Sequence, residues 1–446
     1  MKPWPKYLLI LTALLIMGGV VLMSVTRWGW GWTGVVGYVE SQTSADQIVH
    51  RGKTLWDWLE LLIVPVVLGV IALWFSRQVR KNDRDSANNR AQIDRGIATD
   101  RMQEAALQLF YDNMTELLLE KNLREAAKDG EVITLARSKT LATLRSLDGV
   151  RKGLLIMYLN EAKLIEKEKP IIHLEGAELN GAVLSCDNLS TVNLSRVDLS
   201  SANLGSSNLS GSDLSEAKLS GADLREASLS RACLIKTDLR DANLRRADLS
   251  KANLNGAKLS KANLSEAKLN KATLKKANLN GARLNKADLT EADLSEAYLN
   301  GAYLIWAWLY DANLSKARLA EAQLIHGTLN RANLNDANLT GAILEKAELI
   351  EANLSRAYLN DANLNGAILE KAELTGANLT KAYLSRANLK GAILDGADLT
   401  GSNLTRAKNI TPEQLAATET LKDAIMTDGK KYNSAIHADI ARLKKS

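Results

Sequence analysis

The chain has 446 residues, with 57 Lys and Arg against 51 Asp and Glu, a formal net charge of +6. Its two cysteines, Cys186 and Cys233, stand alone and suit a reducing compartment. Its four histidines (His50, His173, His326 and His437) lie at no spacing that suits a metal or a nucleophile with its base, and no glycine-rich phosphate loop follows a strand, so no catalytic, cofactor-binding or metal-binding constellation is present.

Residues 7–26 are apolar and uncharged, about long enough to cross a bilayer. A second candidate span covers 55–75; its uncharged part is Leu61 to Phe75, so it needs Trp56 and Trp58 at the interface. No A-x-A-like cleavage site follows the first span, which reads as an anchor rather than a signal peptide. Lys2 and Lys6 precede it, and Arg77, Arg80, Lys81 and Arg84 follow the second. The loop carries Arg27, Arg51 and Lys53. The positive-inside rule then predicts a transmembrane helical hairpin over 1–76, with 27–54 outside and both termini cytoplasmic at a bacterial inner membrane. Trp28, Trp30 and Trp32 alternate with glycines in the loop. They read as interfacial anchors beside Trp56 and Trp58, with a platform for a lipid headgroup or glycan as the alternative.

Residues 77–169 read as a cytoplasmic helical stalk. Arg77 to Arg101 is polar with little apolar periodicity. Apolar residues return from Met102: Leu107, Phe110, Met114, Leu117 and Leu118. Gly130 and the Asp148-Gly149 pair break the pattern and leave helices near 131–147 and 150–165. The second carries Leu154, Leu155, Tyr158, Leu159, Ala162 and Ile165 as one stripe, expected to pack on the domain that follows or on a partner chain.

From Leu174 to Leu404 a leucine stands at every fifth residue, 47 times without a gap. Ala stands two residues earlier in 38 of those 47 units. Residues two apart share one face of an extended segment, so each unit sends one large and one small side chain inward. A helix repeats its apolar face every 3.6 residues and does not fit a period of five. Short extended sides separated by same-handed turns do fit, and the chain then winds as a coil whose turns stack like parallel strands. Asp187 is an anomaly in an inward Ala position and needs a hydrogen-bond partner if buried.

Units such as Ala202-Asn203-Leu204 and Ala397-Asp398-Leu399 resemble the pentapeptide-repeat family, whose consensus is A-(D/N)-L-x-x. The resemblance implies a mainly β fold over 170–408, a right-handed quadrilateral β-helix with four units per coil. Roughly 12 coils at about 4.8 Å would make a rod about 55 Å long. Leu117 to Arg124 and Thr140 to Gly149 resemble the segment preceding the repeats in membrane-anchored bacterial members. Thr411-Pro412-Glu413-Gln414 reads as a helix start, so 409–446 is expected to be a capping helix and tail over the open end.

The family's best-known activity, mimicry of DNA by gyrase-binding quinolone-resistance members, needs a negative surface. Residues 171–410 carry 28 Lys and Arg against 27 Asp and Glu, which argues against it. The charge is uneven, with 14 basic and 5 acidic residues over 231–290. Arg231, Lys251 and Lys271, and likewise Lys236 and Lys276, are spaced by multiples of twenty and form a candidate basic band. No aromatics interleave there, which argues against single-stranded nucleic acid. Tyr298, Tyr303, Trp306, Trp308 and Tyr310 fall at outward positions and form a candidate protein-binding patch. The sequence thus predicts a non-enzymatic, membrane-tethered scaffold with an unidentified protein partner. Homo-oligomerisation and a role as the regulatory part of a membrane transport or envelope-assembly system are the open alternatives.

Overall fold

The structure, a computed structural model, describes residues 55–127 and 130–444. The first expected span and the loop with Trp28, Trp30 and Trp32 lie outside the described residues. The chain divides into two compact units, residues 1–98 and 99–446.

Helix α1 covers Leu55–Leu119 and contains Pro65. Trp56 and Trp58 lie in its first turns, with side chains outside the described ones. In the first unit Val66, Leu68, Ile71, Leu73 and Phe75 are each more than half exposed. Among the described residues no helix is long and apolar enough to cross a membrane. The second expected span, 55–75, reaches into residues 55–64, whose side chains lie outside the described ones.

The second unit is built on the five-residue period. Each Leu opens a two-residue corner, and the Ala after that corner donates its N–H back to the Leu carbonyl, as Ala222 does to Leu219 at 3.1 Å. The second corner residue has φ between 54° and 79° throughout, while the first stays out of that region. This is a type II turn. The residue before each Leu pairs in parallel with the residue twenty further on, from Glu178–Asp198 to Asn388–Lys408. Twenty residues are four units, so each coil has four sides.

Backbone accounting explains the consensus. Leu, its predecessor and the second corner residue donate to the adjacent coils: Leu224 to Asn243 at 2.8 Å, Asp223 to Ala202 at 2.9 Å, Arg231 to Ser250 at 3.0 Å. Ala donates within its own turn. Only the first corner N–H lacks a backbone acceptor, and the Asn or Asp before Leu supplies one. Thr340 N–H donates to Asn338 Oδ1 at 3.0 Å, and Thr400 N–H to Asp398 Oδ1 at 2.8 Å. Where Asn itself holds the first corner, its amide oxygen serves the next coil, as Asn330 does for Ile350 at 2.9 Å.

The Leu and Ala ladders form one continuous buried core. Some polar residues in Ala positions are satisfied by nearby carbonyls: Ser207 donates to Leu204 and Thr237 to Leu214, both at 2.7 Å, whereas the buried Ser402 hydroxyl has no partner. Asp187 does not reach full burial. Partial burial pushes its carboxyl above the usual range.

Both ends are covered. Helices α2 (Glu131–Ser146) and α3 (Gly149–Glu161) close the first coil. Asp148 caps α3 by accepting the Arg151 N–H at 2.9 Å. Leu155, Ile156 and Leu159 of α3 are buried with Leu107, Phe110, Met114 and Leu117 of α1. Leu154, expected on that stripe, points outward, and Ile156 takes its place. From Thr99 on, the expected stalk therefore belongs to the same compact unit as the repeats. The approach is close: Gly149 O accepts from Val183 N at 2.8 Å. A Cβ added at Gly149 or Gly153 would stand 2.1 or 2.0 Å from the carbonyl oxygens of Gly181 and Val183.

At the other end α4 (Pro412–Ala416) starts with a capping box between Thr411 and Gln414. Beyond it the tail expected over 409–446 continues the coil. Asp398 pairs with Thr420 and Asn403 with Ile425, a step of 22 residues in place of 20. Leu421, Ala424 and Met426 are buried as further rungs, and Ile440 of α5 (Ala438–Leu443) is buried with them.

Gly153→Ala is expected to destabilise the first coil by about 1–3 kcal/mol, the range for overpacking. Hydrogen exchange should accelerate over 174–190. Gly301→Ala, where φ is +62° but nothing lies within 4 Å, should cost only about 1 kcal/mol. Asp187→Ala should stabilise the chain at pH 7 by about 0.5–1 kcal/mol. A raised folded pKa means that the ionised form is the destabilising one. The gain should therefore shrink as the pH falls through the raised folded pKa and be gone below about pH 4, the unfolded carboxyl range, in denaturant titrations run across that window.

An exposed aromatic corner on the coil

The twenty-residue register fixes which outward side chains meet. Tyr298, Tyr303 and Trp308 stand on three successive sides of one coil, because they are five residues apart. Trp306 occupies the corner between the sides of Tyr303 and Trp308, and Tyr310 the corner after Trp308. The five expected patch residues therefore form one band around the coil, with Tyr303, Trp306 and Trp308 on two adjoining sides and their shared corner. Tyr298 stands apart under the Arg318 guanidinium, 4.9 Å from its ring centroid. Tyr310 is held by Arg331, which stacks at 4.9 Å and donates to its hydroxyl at 2.6 Å.

Trp306 is 51% exposed and Trp308 57%. Trp306 sits at the second corner position with φ +60°, a conformation in which a bulky side chain is strained. Its ring stacks on His326, twenty residues on, with centroids 4.1 Å apart and planes 10° apart. Ile305 and Ile325 stack in the neighbouring column of the same corner. His326, Ile305 and Ile325 were not singled out as part of the patch. Reading the sequence modulo twenty would have placed them there.

The basic band falls on two corners, each residue at a second corner position with positive φ. Arg231, Lys251 and Lys271 stack in one column, and Lys236 and Lys276 share the next. Lys271 and Lys276 are paired with Glu291 and Glu296, each at 3.4 Å. Among the described residues, Arg231, Lys236 and Lys251 meet no carboxylate. Glu266 is the most engaged carboxylate of this region: hydrogen bonds from Arg246 and Arg245 hold it down to about 2. Among the described residues, no group of three or more His, Cys, Asp or Glu could hold a metal ion.

A solenoid with filled interior, covered ends and an exposed aromatic corner defines a repeat protein that presents outward surface. The pattern described as pentapeptide repeats matches in copies between residues 172 and 408. The chain belongs to the pentapeptide-repeat family. HetL, a pentapeptide repeat protein involved in heterocyst differentiation regulation from the cyanobacterium Nostoc, is 36% identical. The match covers 55% of this chain and 92% of HetL, with a TM-score of 0.32. A pentapeptide repeat protein from the Arabidopsis thaliana thylakoid lumen is 34% identical over 22% of this chain and 67% of its own, TM-score 0.21. QnrB1, a plasmid-mediated fluoroquinolone resistance protein, is 17% identical over 53% of this chain and 95% of its own, TM-score 0.29. No curated protein sequence matches the chain.

Trp306→Ser with Trp308→Ser is expected to change unfolding free energy by no more than about 0.5 kcal/mol per site, as for exposed positions outside the core. Leu304→Ala, one residue from the corner but fully buried, should cost about 2–5 kcal/mol in the same denaturant titration.

Proposed function

We propose that this protein is a non-enzymatic binding rod, tethered by its N-terminal region to the cytoplasmic face of a bacterial inner membrane, that holds a protein partner at its aromatic corner. The observation that carries the reading is Trp306. A large aromatic ring at a strained corner, half exposed and stacked on His326, serves no core and replaces the glycine or polar residue the turn favours. Tyr303 and Trp308 extend it into the kind of exposed apolar surface that marks interaction sites. Tethering is supported by Val66 to Phe75, an exposed apolar stretch of helix followed by Arg77, Arg80, Lys81 and Arg84.

The test is affinity recovery from gently solubilised membranes. Wild-type protein should bring down a partner that the Trp306→Ser, Trp308→Ser variant loses. Recovery unchanged by the double substitution removes the corner from the account.

A second reading, the regulatory part of a membrane transport or envelope-assembly system, is favoured by the same exposed stretch of α1. Replacing residues 1–75 with an unrelated hairpin separates the two: a scaffold keeps its partner and a membrane-contact regulator loses it. The near balance of charge over 171–410 speaks against DNA mimicry, which would need a predominantly negative rod.

A further inference from the structure

Some corner cations on this coil are paired with a carboxylate one coil away, and others have a second cation as their neighbour in the column. At the second corner position the neighbour twenty residues away is commonly a carboxylate in contact. Arg196 pairs with Glu216 at 3.2 Å, Arg246 with Glu266 at 2.8 Å, Arg356 with Asp336 at 2.7 Å and Lys371 with Glu351 at 3.1 Å. Arg231 and Lys251 instead occupy one column on adjacent coils, followed there by Lys271, and Arg386 and Arg406 occupy another, with coils about 4.8 Å apart. All four are exposed, and among the described residues no carboxylate pairs with any of them. Like charges on neighbouring coils repel, and an anion bound between them offsets that repulsion.

Both pairs line a groove of the same construction. One, about 570 Å³, has Arg231 and Lys251 beside Gly211 and the serine column Ser210, Ser230 and Ser250. The other, about 430 Å³, has Arg386 and Arg406 beside Gly366, with Asn365, Ser385 and Thr405. In each a glycine one coil before the pair removes the side chain that would fill the space. Ser210 and Ser250 donate to Asn208 and Asn270, both at 2.6 Å. Among the described residues, the Ser230, Ser385 and Thr405 hydroxyls line these grooves without a protein acceptor. The carboxylate that lines the second groove, Glu345, is held by Lys346 at 3.8 Å.

From this geometry we infer that each groove is a binding site for a phosphate group, free or as a phosphomonoester headgroup. Two adjacent cations match a dianion, and the hydroxyls complete its donor set. This goes beyond the protein-binding role of the aromatic corner and rests on other residues.

Full-length protein in detergent micelles, titrated calorimetrically with inorganic phosphate, should show two sites per chain. Arg231→Gln with Lys251→Gln should weaken one site at least tenfold, and Arg386→Gln with Arg406→Gln the other. Lys258→Gln with Lys261→Gln removes equal charge outside the grooves and should leave both within twofold. Unfolding midpoints of all variants report that the coil is intact. Micelles doped with phosphatidic acid should displace phosphate if the source is a lipid headgroup, and those doped with phosphatidylcholine should not. Displacement by neither assigns the sites to free phosphate. The inference is overturned if no saturable phosphate binding is seen. It is equally overturned if the Lys258, Lys261 variant weakens binding as much as the groove variants.

Discussion

The twenty-residue hydrogen-bond register between coils is the constraint on which everything else in the repeat unit depends. Four of the five N–H groups in each unit are satisfied by backbone, three of them across coils. No unit can therefore satisfy its own polar groups or bury its own leucine without neighbours. Leu and Ala inside, Asn or Asp before Leu, and a tolerant corner all follow from that arrangement. So does the need for covered ends. The first coil offers its carbonyls to α3 so closely that only Gly149 and Gly153 fit. The last coil continues through Leu421, Ala424 and Met426 under α5.

Because the interior and backbone carry the fold, the outward positions are free to vary, and their chemistry is where function can be sought. The register also sets their neighbours, since each outward side chain meets those twenty residues before and after. Opposite charges stacked this way are exposed pairs worth little individually. Two other arrangements are more informative: a tryptophan where turn chemistry favours glycine, and cations next to cations in one column. Each runs against local stability, and neither has a role in holding the coil.

The coil, its inward residues and its capping helices were legible because each rests on short-range spacing: five residues for the core, Thr411 to Gln414 for the cap, Asp148-Gly149 for the helix break. The spatial grouping of surface residues was less so. Tyr298 is close to Trp306 in sequence yet stands on another side, while His326, twenty residues off, is its stacking partner. The last rungs escaped notice because two extra residues and α4 interrupt the period before Leu421. The packing of residues 99–169 onto the first coil turns on two glycines whose meaning appears only when the facing carbonyls are known.

The most direct test of the register is a set of distances along one side of the coil. With Cys186 and Cys233 replaced by serine, spin labels at Lys258 and Asn338, then at Lys258 and Asn378, span four and six coils on one side. Pulsed electron–electron resonance should give separations near about 19 and 29 Å, growing by about 4.8 Å per twenty residues. Distances that do not grow in that proportion would contradict the four-sided coil and the surface groupings drawn from it.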